Sequence, residues 1–239
     1  MEVLVLVFWG FVITQVAAIP TTTYLHRSSS HKSVTFHPVV EFFLQTILWL
    51  TTGINRKEWV AVHLCHHAHA DVEGDPHSPI VSGFWKVQLG NVFLYRKAAK
   101  QSAVLRYGKH IEPTWAERTI YKSPELGLLV GISLACSIWG IVPGLIVSAA
   151  HTFFYLFVIN NLVNGYCHWN GYKNFPAILA FNSHLVAWIT MGEGFHNNHH
   201  AMPASSKLSY TAAEVDHGWT FINIMRHLKL ATLNRPLNR

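Results

Sequence analysis

Two short stretches, HLCHH at residues 63–67 and GEGFHNNHH at 192–200, repeat one histidine spacing. His63, His66 and His67 stand at i, i+3 and i+4, as do His196, His199 and His200, and on a helix each set shares one face. Imidazole is a ligand for iron, copper, nickel and zinc. Six such rings on two faces are costly to place without a shared ion. A third pair, His26 and His31 in HRSSSH, is five residues apart. Five steps of about 100° leave the second side chain about 140° from the first on a regular α-helix. The pair therefore serves two different ions, or its turn is distorted, and three consecutive serines compete for backbone hydrogen bonds there. His168 closes NGYCH, with Asn164 one helical turn before it. The sum is nine histidines. One ion seldom takes more than a few imidazoles, so the number points to a pair of metals. Cys65, Cys136 and Cys167 form no CxxC pair, and neither cysteines nor carboxylates cluster, which argues against iron–sulfur and hard-cation sites. His37, His110, His151, His184, His217 and His227 lack the spacing and are left out, as is His69, which merely follows HLCHH closely; His77 reads as a group beside the metal or the substrate.

The elements that must hold these residues are apolar. Hydrophobic residues make up 50% of the 239, charged ones 13%, and the mean hydropathy is +0.22. That is too apolar for a typical soluble domain and low for a transporter made of lipid-buried helices. A single body over 1–239 is expected, with spans at about 3–22, 126–142 and 145–164 and a turn at Pro143-Gly144. The first segment has no basic region before it, so it reads as a span rather than a signal peptide. Segments 38–52 and 176–191 each carry a polar side (Glu41, Gln45 and Thr52; Asn182, Ser183 and His184) and read as interfacial helices. Every Lys and Arg falls in 27–122 or 173–239, which puts the N-terminus outside and all the histidine-rich stretches in the cytoplasm. The expected fold is an all-α integral membrane protein: transmembrane and interfacial helices plus a cytosolic helical cap holding a dimetal site. Basic residues from Lys86 to Lys122, interleaved with aromatics, read as a face near anionic lipid or a docking surface for an acidic redox partner or acyl carrier. Nucleic acid is not expected as a partner.

HRSSSH, HLCHH and GEGFHNNHH resemble the three histidine boxes of the membrane fatty-acid desaturases, in particular the acyl-CoA, Δ9-type branch. The similarity extends to Glu58-Trp59 before the second box, Asp75-Pro76-His77 after it, LVNGYCH, and Asp216 with Trp219 in the tail. It implies His26, His31, His63, His66, His67, His168, His196, His199 and His200 as metal ligands, with Asn164 acting through water. It also implies two iron ions, dioxygen as co-substrate, a helical stalk below a cytosolic cap, and a bent acyl tunnel. Two features depart from the family. A single span precedes the first box where the family has a pair. The family's Arg-Asp between the Trp and the second box, a contact to the carrier, reads Val60-Ala61-Val62 here, which leaves acyl carrier protein or intact lipid beside CoA as the carrier.

The reaction so implied removes two hydrogens from adjacent carbons of an acyl chain, with Asp71, Asp75, Glu193 and Asn164 as candidates for orienting the ligands. No dinucleotide fingerprint, flavin motif or CxxCH is present, so electrons are expected from a ferredoxin or a cytochrome b5-like donor with its reductase. A diiron hydroxylase, or a variant forming an alkyne or terminal alkene, is the nearest alternative, and a non-catalytic metal- or lipid-binding membrane protein a more distant one. A zinc hydrolase lacks its HExxH.

Overall fold

The computed structural model describes residues 2–236, so Met1 and residues 237–239 of the expected single body lie outside the description. Among the described residues two helices are long and apolar enough to cross a membrane, Val3–Ser30 and Ile141–His168, each of 28 residues. The first is α-helical through Pro20 and widens into π turns over Thr21–Ser30. Local chemistry accounts for the change. Pro20 has no N–H to give, and the hydroxyls of Thr21, Thr23 and Ser30 donate to the carbonyls of Ala17 (2.8 Å), Ile19 (2.7 Å) and Leu25 (2.9 Å).

The expected hairpin is present, with its turn elsewhere. Pro124–Trp139 and Ile141–Phe153 are joined at Gly140, whose φ of 91° favours glycine. Pro143 instead sits in the first turn of the second helix, where a missing N–H costs nothing. Pro124–Trp139 has 16 residues, about 24 Å of helix against a hydrocarbon core of about 30 Å, so the segment expected as a span over 126–142 falls short of spanning length. Pro38–Thr51 forms as expected, capped by His37, and packs beside Pro124–Trp139 and the first long helix.

The expected helix over 176–191 is mostly absent: only His184–Ile189 is helical. The reason is Asn182. Its backbone bridges Tyr172 and Phe195, and its side chain bonds to the third histidine box, so the helix starts only at the Ser183 cap. An exposed apolar face appears elsewhere. On helix Phe84–Ala98, Trp85, Leu89 and Phe93 lie four residues apart and are all exposed, an unpartnered apolar stripe flanked by Lys86, Arg96 and Lys97.

A cap is built over the ends of the long helices from Arg56–Ala68, His196–Ala201 and His217–His227, with a two-stranded antiparallel sheet pairing Val34–Phe36 with Ala231–Leu233. Its core includes Tyr24, Leu25, Phe36, Leu44, Leu48 and Ile222. An ion pair fastens it. Arg27, 1% exposed, donates from both terminal nitrogens to Asp216 (2.8 and 3.0 Å) and to the carbonyl of Ser206 (2.9 Å). Asp216 also accepts from the backbone of Leu208 (2.7 Å) and Trp219 (2.9 Å), capping the last helix. Removing one partner strands a buried charge. Arg27→Ala is expected to cost about 3–5 kcal/mol, read as a lowered midpoint in thermal unfolding of the detergent-solubilised protein, with Arg27→Met/Asp216→Leu recovering part of the loss.

Candidate metal centre

The π turns settle the spacing of five in the first box. A π-helix closes each turn after about five residues, so His26 and His31 come to the same side, their rings 4.9 Å apart. They face one group rather than two. The nine histidines converge from four elements into two clusters: His26, His31, His63, His67 and His199 in one; His66, His168, His196 and His200 in the other. His63 and His67 point to the first cluster and His66, on the same helix Arg56–Ala68, to the second. His37, His69, His110, His151, His184, His217 and His227 lie outside both. His77 is grouped only with His66 and Asp75.

Nitrogen meets nitrogen in these clusters. Nε2 of His31 is 2.8 Å from that of His63, His26 3.0 Å from His199, His199 2.8 Å from His67, His66 3.2 Å from His200, and His200 3.2 Å from His196. Two nitrogens about 2.1 Å from one ion and about 90° apart stand about 3.0 Å from one another, so these separations fit ligands sharing a metal. His168 Nε2 is buried with no hydrogen-bond partner among the described residues and belongs to the second cluster. An all-imidazole donor set of this kind suits a borderline transition metal such as iron.

Carboxylates hold three rings from behind. Nδ1 of His26 meets Glu193 at 2.8 Å, that of His66 meets Asp75 at 2.9 Å, and that of His168 meets Asp71 at 2.7 Å. A proton held on Nδ1 leaves the Nε2 lone pair facing inward, which fixes tautomer and orientation together. Each acid is itself fixed: Asp75 accepts from the backbone of Asp71 (2.9 Å) and His77 (3.0 Å), Asp71 from Ser78 (2.7 Å), and Glu193 from Thr22. Burial pushes the Glu193 carboxyl up, but the neighbouring His26 and Arg27 outweigh it and bring it below the usual range. Asn164, the fourth candidate for orienting ligands, makes no such bond; it lines a cavity together with His66 and His196.

The sequence GEGFHNNHH is built for this placement. Gly192 has a φ of 104° and sits against the Asp216 carboxylate, while Gly194 lies on the backbone of Val186 and Ala187, where a Cβ has no room. Between them Glu193 is delivered to His26. The helix His196–Ala201 has only six residues, too few to hold itself. Its two asparagines anchor it: Asn197 donates to the carbonyls of Phe175 and Ala180 (both 2.9 Å), and Asn198 to Leu208 (3.0 Å) and Glu214 (2.9 Å). Sequence reasoning missed Asn197, Asn198, Asn182, Glu214 and Arg27. The available signal was polar residues adjacent to the boxes in otherwise apolar surroundings.

Beside both clusters runs a cavity of about 370 Å³, with His26, His63, His66 and His196 on one wall and Val62, Val92, Leu128, Tyr155, Leu156 and Val163 among its apolar lining. Trp59 stacks on His63, their rings 5.0 Å apart and 13° from parallel. Val60, Ala61 and Val62, at the family's carrier contact, are all buried. A paired imidazole site opening on an apolar cavity is suited to oxidising a hydrocarbon chain. The sequence pattern of the family described as Fatty acid desaturase matches residues 3–221. The chain belongs to the fatty acid desaturase family. It is 29% identical to an acyl-CoA C20 Delta5-desaturase of Anemone leveillei, over 89% of this chain and 68% of that protein. It is 28% identical to an icosanoyl-CoA 5-desaturase of Limnanthes douglasii (94% and 64%) and 30% identical to an sn-1 stearoyl-lipid 9-desaturase of Anabaena variabilis (88% and 76%). This desaturase-family chain thus spans between 64% and 76% of the length of these relatives. Family and apolar helices together mark it as a membrane protein.

Two predictions arise from the desaturase's inner site. Glu193→Gln and Asp75→Asn are each expected to weaken metal binding about 10–100-fold, measured by equilibrium iron titration of the purified protein. The second concerns acid. Burial and neighbouring imidazoles hold His63, His66, His196, His199 and His200 well below 6.5, and His67 is pushed down to about 2. The unfolded chain then binds more protons than the folded one, so stability falls as pH falls. For the metal-free protein the loss begins near pH 6.5 and continues toward about 2, followed as thermal midpoint against pH.

Proposed function

We propose that this protein is an oxygen-dependent diiron desaturase that introduces a carbon–carbon double bond into a fatty acyl chain carried on CoA, acyl carrier protein or lipid. The observation behind this reading is the convergence of nine imidazoles in two clusters, four of which, His26, His63, His66 and His196, line a largely apolar cavity. His26, His31, His63, His67 and His199 would hold one iron and His66, His168, His196 and His200 the other, with Asn164 contributing through water. The irons, when bound, supply the oxidation by dioxygen of two adjacent C–H bonds. Overall, R–CH2–CH2–R′ with O2, two electrons and two protons gives R–CH=CH–R′ and two waters.

The chain's own residues do the rest. Glu193, Asp75 and Asp71 hold their imidazoles in the ligating tautomer. Leu128, Leu156 and Val163 exclude bulk water and take up the chain by apolar burial, while Trp59 and Tyr155, whose hydroxyl meets Thr21 at 2.7 Å, limit where it can lie. In this reading a single membrane body faces its cap to the cytoplasm, and a ferredoxin or cytochrome b5-like donor docks on the exposed basic residues Lys86 to Lys122. The relatives that act on acyl-CoA and on stearoyl-lipid leave both carriers in view; the buried Val60-Ala61-Val62 favours one that needs no charged contact there.

The test is a mass-spectrometric lipid profile of a host expressing the protein together with a donor, set against His199→Ala. A double bond present only with the intact protein, and close to two irons per chain lost in the variant, is the expected result. A new hydroxyl at the same carbon would replace desaturation with hydroxylation.

A further inference from the structure

Partly on the cavity lining and partly beside it lies a set of polar groups outside the nine imidazoles. Helix Phe84–Ala98 packs against the end of the second long helix at Asn160–Asn164. Gln88 and Asn91 on the first, and Asn161 and Asn164 on the second, are each three residues apart and so share a face. The seam is buried, with Asn91 5% and Asn161 1% exposed. Gln88 Oε1, Asn91 Oδ1, Asn161 Oδ1 and both ring nitrogens of His77 have no hydrogen-bond partner among the described residues. His77 is 5% exposed, its ring 4.8 Å from that of His66, and it lines the cavity with Asn91 and Asn164. Buried polar atoms left without a partner among the described residues on four neighbouring side chains are too many for chance, because such atoms are nearly always bonded.

The kind of atom that is unpartnered selects the ligand. Asn161 Nδ2 donates to the carbonyl of Gln88 at 2.7 Å, which fixes Asn161 Oδ1 as an acceptor. A ligand that satisfies it must donate. An acyl carbonyl has no hydrogen to give, and a hydrocarbon has neither donor nor acceptor. Water gives two hydrogens and accepts at its oxygen, and buried water typically bridges two to four such groups.

We propose that Gln88, Asn161, Asn91 and His77 bind a file of water that runs along this helix seam to the second imidazole cluster. Protons for the reaction enter along this file and product water leaves by it. Each double bond takes up two protons and releases two waters, and the cavity itself is filled by an apolar chain that can pass neither. The file meets the cavity at Asn91 and His77 and leaves it toward Gln88 and Asn161, which gives water and protons a path beside the acyl chain rather than through it. This inference rests on the desaturase reading for its purpose but not for the water itself.

The test has two parts. In a cryo-electron density map of the whole iron-loaded protein in detergent, ordered water within hydrogen-bond distance of Asn161 Oδ1 and Asn91 Oδ1 is expected; well-ordered side chains with no water beside them would overturn the proposal. In Asn161→Leu and Gln88→Leu, iron content is expected to stay at the wild-type level while turnover falls roughly three- to tenfold and the solvent deuterium isotope effect on turnover rises. Unchanged turnover and isotope effect in both variants would remove the transport role. Asn91→Asp, which keeps an acceptor at that place, is expected to retain more turnover than Asn91→Leu. Wild-type protein that shows the water but makes no double bond would instead overturn the proposed function and leave the water site standing.

Discussion

Nine imidazole lone pairs pointed at two small volumes repel one another and have lost their water. Every other feature of the cap answers that constraint. The nitrogens approach to about 3 Å, and burial suppresses the basicity of His63, His199 and His200 well below normal. These rings resist protonation and cannot turn outward, so the arrangement is poised for a cation. Outward-facing hydrogen bonds keep it poised. Glu193, Asp75 and Asp71 each accept a hydrogen bond from an Nδ1–H and leave the Nε2 lone pair with one direction.

Holding such rings takes more than the helices that bear them. The second box sits on a helix of 13 residues capped by Asn55, which carries its three histidines unaided. The third box sits on six residues and depends on neighbours: Asn197 and Asn198 tie it to the loop at Phe175–Asn182, and Glu214 ties that network to the tail. Arg27, next to His26, is clamped by Asp216, so the first box and the last helix are fixed by a single buried pair. These polar contacts are shielded from water, which makes each of them strong when complete and costly when broken.

The same helices divide two environments. Their outer ends present apolar side chains, and their inner ends deliver His26 and His168 to the clusters. One cavity wall is metal-facing imidazole and much of the rest is aliphatic or aromatic. The polar seam of Gln88, Asn91 and Asn161 adjoins this cavity at Asn91, which gives the proposed water file an edge on it.

Much of this was written in local pattern. The i, i+3, i+4 histidines were legible because helical periodicity alone puts them on one face, and so were the two long apolar helices, because apolar length marks them, while the segment at 126–142 proved too short. Asp71, Asp75 and Glu193 were legible as a set, being acids close in sequence to the boxes, though not as particular partners. The division of nine ligands into five and four was not legible, because it depends on four elements meeting in space. Nor was the fate of the spacing of five in HRSSSH, which Pro20 and the threonine and serine hydroxyls decide by widening the turn. The turn at Gly140 rather than Pro143-Gly144, and the loss of helix over 176–183, were decided by tertiary contacts that outweigh local propensity: Asn182 bonds to residues distant in sequence more strongly than to its own turn. Periodicity determines which residues can share a face; only the packed chain determines what that face meets.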